Sequence, residues 1–175
     1  IDGRISYGKS GFSGEIGHFP LLNNDRICHC GKTGCLETGA SGSAVHQLFM
    51  ERLQEGRTSM LSEKFNKGEK IHIEEIIDAV NEEDVLAIEV IEEIGAVLGR
   101  AIAGLINLFN PELIVIGGNV AATKEYLLLP IKSAIQKHSL NIINSDTTIK
   151  FSKLGKHAGT IGSCMLSRSK LLGLI

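Results

Sequence analysis

The sequence lacks an excess of either charge, a long hydrophobic run and an export signal, and each absence excludes a class of protein. Its 18 lysines and arginines are balanced by 20 aspartates and glutamates, which gives a formal charge of −2. Because neutralising nucleic-acid phosphates needs a basic face, this segment alone is not expected to hold DNA or RNA. No stretch approaches about 18 consecutive apolar residues, so no membrane-spanning segment is predicted. No signal peptide pattern is recognisable either.

The composition is that of a folded domain, or of one lobe of a larger protein. Hydrophobic residues make up 43% of the 175 residues and charged residues 22%, which is enough apolar surface for a core. The first seven residues are typical of a β-hairpin with Asp2-Gly3 as its turn. A hairpin that begins at its turn lacks its first strand. We therefore expect residues 1–175 to be part of a longer protein whose upstream part is missing here.

Helical and strand patterns alternate after residue 40, and this alternation predicts an α/β fold. Ser41 is a candidate N-cap, and Asn110-Pro111 is expected to end the longest helix. The strand at residues 112–116 is rich in β-branched residues and is predicted to be buried. The predicted helices cover residues 41–55, 73–80, 84–109, 124–137 and 159–172, and the second predicted strand covers residues 147–151.

Two of these helices support a further prediction, one from small residues in the longest helix and one from a cysteine in the last helix. Gly95, Gly99 and Ala103 stand four residues apart in the longest helix, which predicts a smooth groove for close contact with a neighbouring element. Cys164 stands among apolar residues of the last helix, where a plain buried thiol is predicted.

Three cysteines within eight residues form the most informative segment of the chain. Cys28 and Cys30 are too close for a relaxed disulfide, whereas Cys28, Cys30 and Cys35 together suit a tetrahedral metal. Gly31 and Gly34 allow the backbone to fold back. The middle residue of an extended C-x-C segment points away from the two sulfurs, which disfavours His29 as the fourth ligand.

That argument favours His18, and the predicted site is Zn²⁺ held by His18, Cys28, Cys30 and Cys35. Zinc fits a mixed, closed ligand set better than iron does. It would stabilise a glycine-rich loop that has almost no core of its own. The alternative is three reduced cysteines with no metal. Metal-bound thiolates and the missing export signal predict a cytoplasmic location.

The residues around this cluster resemble the signature of the ROK family, which comprises bacterial sugar-responsive repressors and sugar kinases. The resemblance covers essentially the whole chain, and the histidine and cysteine spacing is its most specific part. It rests on Gly14-Glu15-Ile16-Gly17-His18, Cys28-x-Cys30-Gly31-x-x-Gly34-Cys35-x-Glu37, Ala40-Ser41-Gly42, residues 106–112, Ile114-Val115-Ile116-Gly117-Gly118 and Ala158-Gly159-x-x-Gly162. The resemblance implies an actin-like, RNase H-related fold of two lobes, of which this chain would be the second.

The resemblance also implies roles for individual residues. Glu15, His18 and Glu37 would bind sugar hydroxyls, for which carboxylates and a metal-bound imidazole are suitable partners. The alternative for the two glutamates is that they are ordinary solvated side chains. The glycines on the nucleotide side would be Gly117, Gly118 and Gly159, near a strand end and a helix start. Their alternative is turn glycines without a ligand.

Two functions follow for the parent protein, and a third remains open. In the first it is a repressor, in which an upstream helix-turn-helix domain binds DNA and a small-molecule sugar bound here weakens that grip. In the second it is an ATP- and Mg²⁺-dependent sugar kinase of the glucokinase or N-acetylhexosamine kinase type. The third is a structural lobe with a degenerate sugar pocket. The wider resemblance, through residues 37–53 and 76–119, favours the repressor, and family habit together with the groove of the longest helix suggests a homodimer.

A kinase of this family takes its catalytic aspartate and its phosphate-binding turns from the first lobe, upstream of the segment that matches Ile1. No catalytic residue is therefore predicted in this chain. Asp25, Asp78, Asp84 and Asp146 all stand in polar surface stretches. We expect the chain alone to transfer no phosphate from ATP to any hexose, and measurable turnover would contradict this.

Overall fold

A computed structural model of the chain describes residues 5–173, so the predicted hairpin turn at Asp2-Gly3 lies outside the described residues. The helices are α1 Glu37–Ala40, α2 Gly42–Gln54, α3 Ser62–Asn66, α4 Ile73–Asn81, α5 Val85–Phe109, α6 Glu125–His138, α7 Asn141–Asn144 and α8 Ala158–Leu171. The strands are β1 Leu113–Ile116 and β2 Thr148–Phe151, and short 3₁₀ turns cover Ile16–His18, Asn119–Thr123 and Gly155–His157. The predicted α/β fold class and the positions of the principal helices are thereby confirmed.

Short polar side chains set the ends of the principal helices. The Ser41 hydroxyl accepts a hydrogen bond from the backbone N–H of Ala44 at 3.1 Å, which starts α2 as predicted. The Asp84 carboxylate accepts from the N–H of Ala87 at 2.8 Å and starts α5. Asn110 ends α5 in the left-handed conformation at φ 42°, before Pro111 turns the chain toward β1.

The two strands form a parallel pair, with Leu113 opposite Thr148 and Ile116 opposite Phe151. Helices α6 and α7 make the crossover between them, as parallel pairing requires. Both strands end at the same edge of the sheet, where the backbone N–H of Ser152 donates to the carbonyl of Ile116 at 2.8 Å. That edge is where ligands bind in open α/β folds.

The prediction that the first strand is buried is wrong. Ile116 is buried, but Leu113 is 48% exposed and Val115 56% exposed. The exposure alternates because the described elements cover one face of this two-stranded sheet and leave the other in contact with solvent.

The core lies between α2, α4, α5 and α6, and the groove predicted along α5 is filled by α6. A Cβ atom at Gly95 would lie 2.6 Å from Cγ of Pro130, and one at Gly99 would lie 2.7 Å from the carbonyl oxygen of Ile131. The small residues therefore bring two helices of the same chain together. Because α6 occupies this groove, the groove cannot support the homodimer that we predicted partly from it.

Helix α8 lies apart from this core. It contacts the 3₁₀ turn before it, and none of its described residues is buried. Cys164 is exposed, so the prediction of a buried thiol is wrong. The apolar side chains of Ile161, Met165 and Leu171 on the same helix are likewise exposed. Between residues 5 and 173, none of the helices combines the length and the hydropathy that crossing a bilayer requires.

Candidate metal centre and sugar site

The segment that carries the cysteines is a loop closed by two isolated antiparallel bridges. These pair Pro20 with Cys35 and Ile27 with Thr33. Gly31 and Gly34 have φ values of 83° and 76°, so the backbone reverses at the two glycines where this was predicted. At Gly34 only glycine fits, because a Cβ atom would lie 2.6 Å from the carbonyl oxygen of Leu22.

This reversal brings the four predicted ligands together. His18, Cys28, Cys30 and Cys35 each present a ligand atom, and these atoms all lie within 4.8 Å of one another. The Nδ1 atom of His18 is 3.6 Å from Sγ of Cys28, and the sulfurs of Cys30 and Cys35 are also 3.6 Å apart. His29 is not a member of this group.

The spacing fits a tetrahedral zinc ion. Bonds of about 2.3 Å to sulfur and about 2.0 Å to nitrogen place tetrahedral ligand atoms roughly 3.5 to 3.8 Å apart. Both measured separations of 3.6 Å agree with that geometry. The donor set of three sulfurs and one imidazole is also one that structural zinc sites use.

The sulfurs influence one another's protonation. Burial, together with hydrogen bonding and like-charge repulsion from Cys30 and Cys28, raises the pKa of the Cys35 thiol to about 11. A hydrogen bond from the backbone N–H of Lys32, with smaller contributions from the Cys35 and Cys28 thiols, lowers the pKa of the Cys30 thiol to about 7. Three thiolates this close would need a compensating cation, and a dication at this cluster would supply that charge.

The second nitrogen of His18 faces away from the sulfurs. Its Nε2 atom lies 3.7 Å from Oε2 of Glu15, one 3₁₀ turn earlier. The side chain of His18 is 43% exposed and that of Glu15 is 63% exposed. An imidazole with Nδ1 toward a metal keeps Nε2 for a hydrogen bond. Both groups are therefore open to a polar ligand beside the cluster.

Glu37, the third predicted sugar residue, lies on α1, opposite the turn that carries Glu15 and His18. It is the first residue of α1, and its Oε2 atom is 3.1 Å from the position that a Cβ atom at Gly17 would occupy. The carboxylate therefore lies across the turn that carries Glu15 and His18. Glycine at position 17 leaves the space that this side chain uses.

The structure also contains a cavity of about 440 Å³ at the carboxyl ends of β1 and β2. Gly117 and Gly118 line it, as the predicted nucleotide role requires, whereas Gly159 lies in the first turn of α8, outside the lining. Glu74 and Asp78 of α4 also line this cavity. Asp78 was expected only in a polar surface stretch and Glu74 was not considered, because carboxylates four apart are common on solvated helix faces.

Two further residues that the sequence analysis missed, Arg26 and Thr38, lie beside the metal cluster. Nη1 of Arg26 donates to the carbonyl of Thr38, and Nη2 of the same side chain pairs with Glu51 of α2. No local pattern indicates these contacts, because the ion pair joins residues 25 positions apart.

The parallel α/β unit and the Cys₃His loop are the two features expected from the ROK signature in the sequence. The chain matches the model of the ROK family over residues 1–170, and it belongs to that family. The recognition made from the signature is therefore confirmed.

The relatives include both kinds of ROK protein. The chain is 37% identical over 175 residues to the DNA-binding transcriptional dual regulator NagC of Escherichia coli, covering 99% of this chain and 42% of NagC. It is 35% identical over 170 residues to a glucokinase of Halalkalibacterium halodurans, covering 97% of this chain and 52% of the relative. The chain thus spans about half the length of these relatives.

One solved structure has a similar fold along nearly the whole chain. It is a ROK family glucokinase from Streptomyces griseus in complex with glucose and AMPPNP, with a TM-score of 0.85 and 26% sequence identity. The match covers 97% of this chain and 55% of that one.

Proposed function

We propose that this chain is the sugar-sensing part of a ROK-family transcriptional repressor and that it binds a carbohydrate effector beside a structural zinc ion. The observation that carries the proposal is the arrangement of Glu15, His18 and Glu37. The exposed Glu15 carboxylate and His18 imidazole lie at one 3₁₀ turn, the exposed Glu37 carboxylate lies across it from α1, and His18 is itself one of the four clustered ligand residues. Such acceptors and donors suit the vicinal hydroxyls of a hexose.

The zinc ion would act on the site through His18 and the backbone. With Nδ1 on the metal, the imidazole cannot rotate, and Nε2 stays directed toward the ligand side. Cys35 lies two residues before Glu37, so the same ion also fixes the backbone that leads to this carboxylate. His18, Cys28, Cys30 and Cys35 would hold the metal, and the metal itself would take no part in a reaction.

The second candidate function is the C-terminal lobe of an ATP-dependent sugar kinase. The 35% identity to a glucokinase favours it, and the cavity at Gly117 and Gly118 would receive the nucleotide. In either case we place no catalytic residue in this chain. Within residues 5–173, Asp25, Asp78 and Asp146 are exposed, and Asp84 caps α5.

Titration of the full-length protein with N-acetylglucosamine, glucose and xylose tests the proposed site. Replacing Glu37 with glutamine is expected to weaken binding of the recognised sugar about 10- to 100-fold, since a hydrogen bond to a charged group is worth about 1.5–3 kcal/mol. Isothermal titration calorimetry measures the change. Glu82→Gln, an exposed carboxylate beyond the end of α4, is the matched control and should leave the affinity unchanged.

The same preparation separates the two candidate functions. A repressor releases operator DNA when the sugar is added and consumes no ATP, whereas a kinase forms ADP in a sugar-dependent manner. If none of the three sugars binds the full-length protein, the site is not a sugar site of this class, and the lobe has the structural role instead.

A further inference from the structure

The metal cluster fixes its loop internally, but it does not attach the loop to the helical body. All four ligands lie between residues 18 and 35, and the bridges at Pro20 and Ile27 also join parts of this same segment. Among the ion pairs of the described residues, one runs from the loop to the helices. Nη2 of Arg26 lies 2.5 Å from Oε2 of Glu51 on α2.

The guanidinium of Arg26 contacts α1 as well as α2. Its Nη1 atom donates to the carbonyl oxygen of Thr38 at 3.4 Å. Helix α1 has four residues, so its carbonyl groups largely lack partners within the helix and need them from elsewhere. A planar guanidinium can serve two acceptors at once, and here it connects α1 and α2.

Thr38 in turn contacts the predicted metal ligand Cys35 and the loop residue Asn24. Its hydroxyl donates to the carbonyl oxygen of Cys35 at 2.8 Å and accepts from Nδ2 of Asn24 at 3.5 Å. Glu37 therefore lies between a metal ligand and a residue that Arg26 holds. The position of its carboxylate depends on both attachments.

We propose that Arg26 is a positioning residue for the sugar site. It connects the metal loop, α1 and α2, and it holds the first turn of α1 so that the Glu37 carboxylate lies across Gly17. This inference rests on the proposed sugar site and adds to it a residue that contacts neither the metal nor the sugar. The side chains of Arg26 and Glu51 are 30% and 37% exposed. Because partly exposed ion pairs contribute little to overall stability, the main effect of Arg26 falls on the site.

The test replaces Arg26 with methionine in the full-length protein, which keeps an unbranched side chain and removes both hydrogen bonds. Titrations with N-acetylglucosamine, glucose and xylose are expected to show at least about a fivefold loss of affinity for the sugar that the parent binds, less than the loss expected on removing a charged hydrogen bond to the sugar itself, because Arg26 acts only through the position of Glu37. Zinc content should stay at the parent's value, and the melting temperature should change little.

Three further variants distinguish positioning from general damage. Arg26→Lys can pair with Glu51 but lacks the fork that also reaches Thr38, so it should restore part of the affinity. Glu51→Gln should resemble Arg26→Met, and the double variant should lose no more than either single variant. Arg57→Met removes a comparable ion pair, 2.6 Å from Glu89 on α5, and should leave sugar affinity unchanged.

The outcomes separate this inference from the function on which it rests. If the parent binds sugar and Arg26→Met binds it equally well, the positioning role is wrong while the sugar site stands. If Arg26→Met loses its zinc, Arg26 acts on the metal centre rather than on Glu37, and the inference is likewise overturned. A parent protein that binds none of the three sugars refutes the proposed site and this inference together.

Discussion

Replacing Cys35 with serine is expected to abolish stoichiometric zinc binding by the full-length protein and to weaken sugar binding at least about 100-fold, because metal binding and the folding of such a loop are coupled. Cys35 is the most buried of the four ligands, at 1% exposure. A serine hydroxyl at this position is a poor zinc ligand, and three remaining donors leave the tetrahedral site incomplete.

The loss should extend from the metal to the sugar because so little else orders the loop. Between residues 5 and 35 the buried side chains are those of Cys28 and Cys35, so no apolar core can replace the metal. Without the ion, His18 is free to rotate and Glu37 loses the fixed backbone before it. The helical core, which shares no residue with the loop, should remain folded.

Elemental analysis and calorimetry on the same samples check this prediction, and the chain supplies its own control. Cys164→Ser changes the exposed cysteine on α8, far along the sequence from the cluster, and should keep one zinc ion and the parent's sugar affinity. Stripping the parent protein with a strong chelator should reproduce the Cys35→Ser result, and returning Zn²⁺ should reverse it. Full sugar affinity in the metal-free protein would show that the cluster has no part in the site.

The features that the sequence predicted correctly are those that depend on near neighbours in the chain. The predicted cap at Ser41 acts on a residue three positions away. The cluster lies within one segment, and its spacing, with glycines at positions 31 and 34, determines how the cysteines can meet. Local chemistry of this kind is visible in the order of residues alone.

The wrong or missing predictions depend on what packs against each element. The composition of β1 is that of a buried strand, yet Val115 is 56% exposed, because burial depends on the layer that covers a face and not on the strand itself. Cys164 is exposed for the same reason. Arg26 and Glu51 meet across 25 residues, and Asn119 and Glu74 across 45, and no periodicity encodes such pairs.

The second large effect is expected from a substitution in the groove between α5 and α6, which should change the stability of the protein. Gly99→Ala should lower the free energy of unfolding by about 2 kcal/mol or more, the cost typical of forcing extra atoms into a packed core. The added Cβ atom would lie 2.7 Å from the carbonyl oxygen and 2.9 Å from the Cα atom of Ile131, and 2.7 Å from Cβ of Ala134. Two of these three are backbone atoms of α6, so relief requires the whole helix to move.

Two other glycines of α5 allow the steric effect to be separated from helix propensity. Gly104 has no atom within 4 Å of the position where a Cβ would stand, so Gly104→Ala should stabilise the protein by about 0.5–1 kcal/mol through helix propensity alone. Gly95→Ala should fall between them: its 2.6 Å contact is with Cγ of the Pro130 ring, which moves only by ring puckering, but its nearest backbone atom, the carbonyl oxygen of Leu127, is 3.1 Å away, compared with 2.7 Å at Gly99. Urea unfolding of the three variants, followed by circular dichroism, should rank them in this order. Equal changes in stability for Gly99→Ala and Gly104→Ala would mean that the substitution at Gly99 carries no steric cost. In that case α6 does not pack against α5 as closely as described.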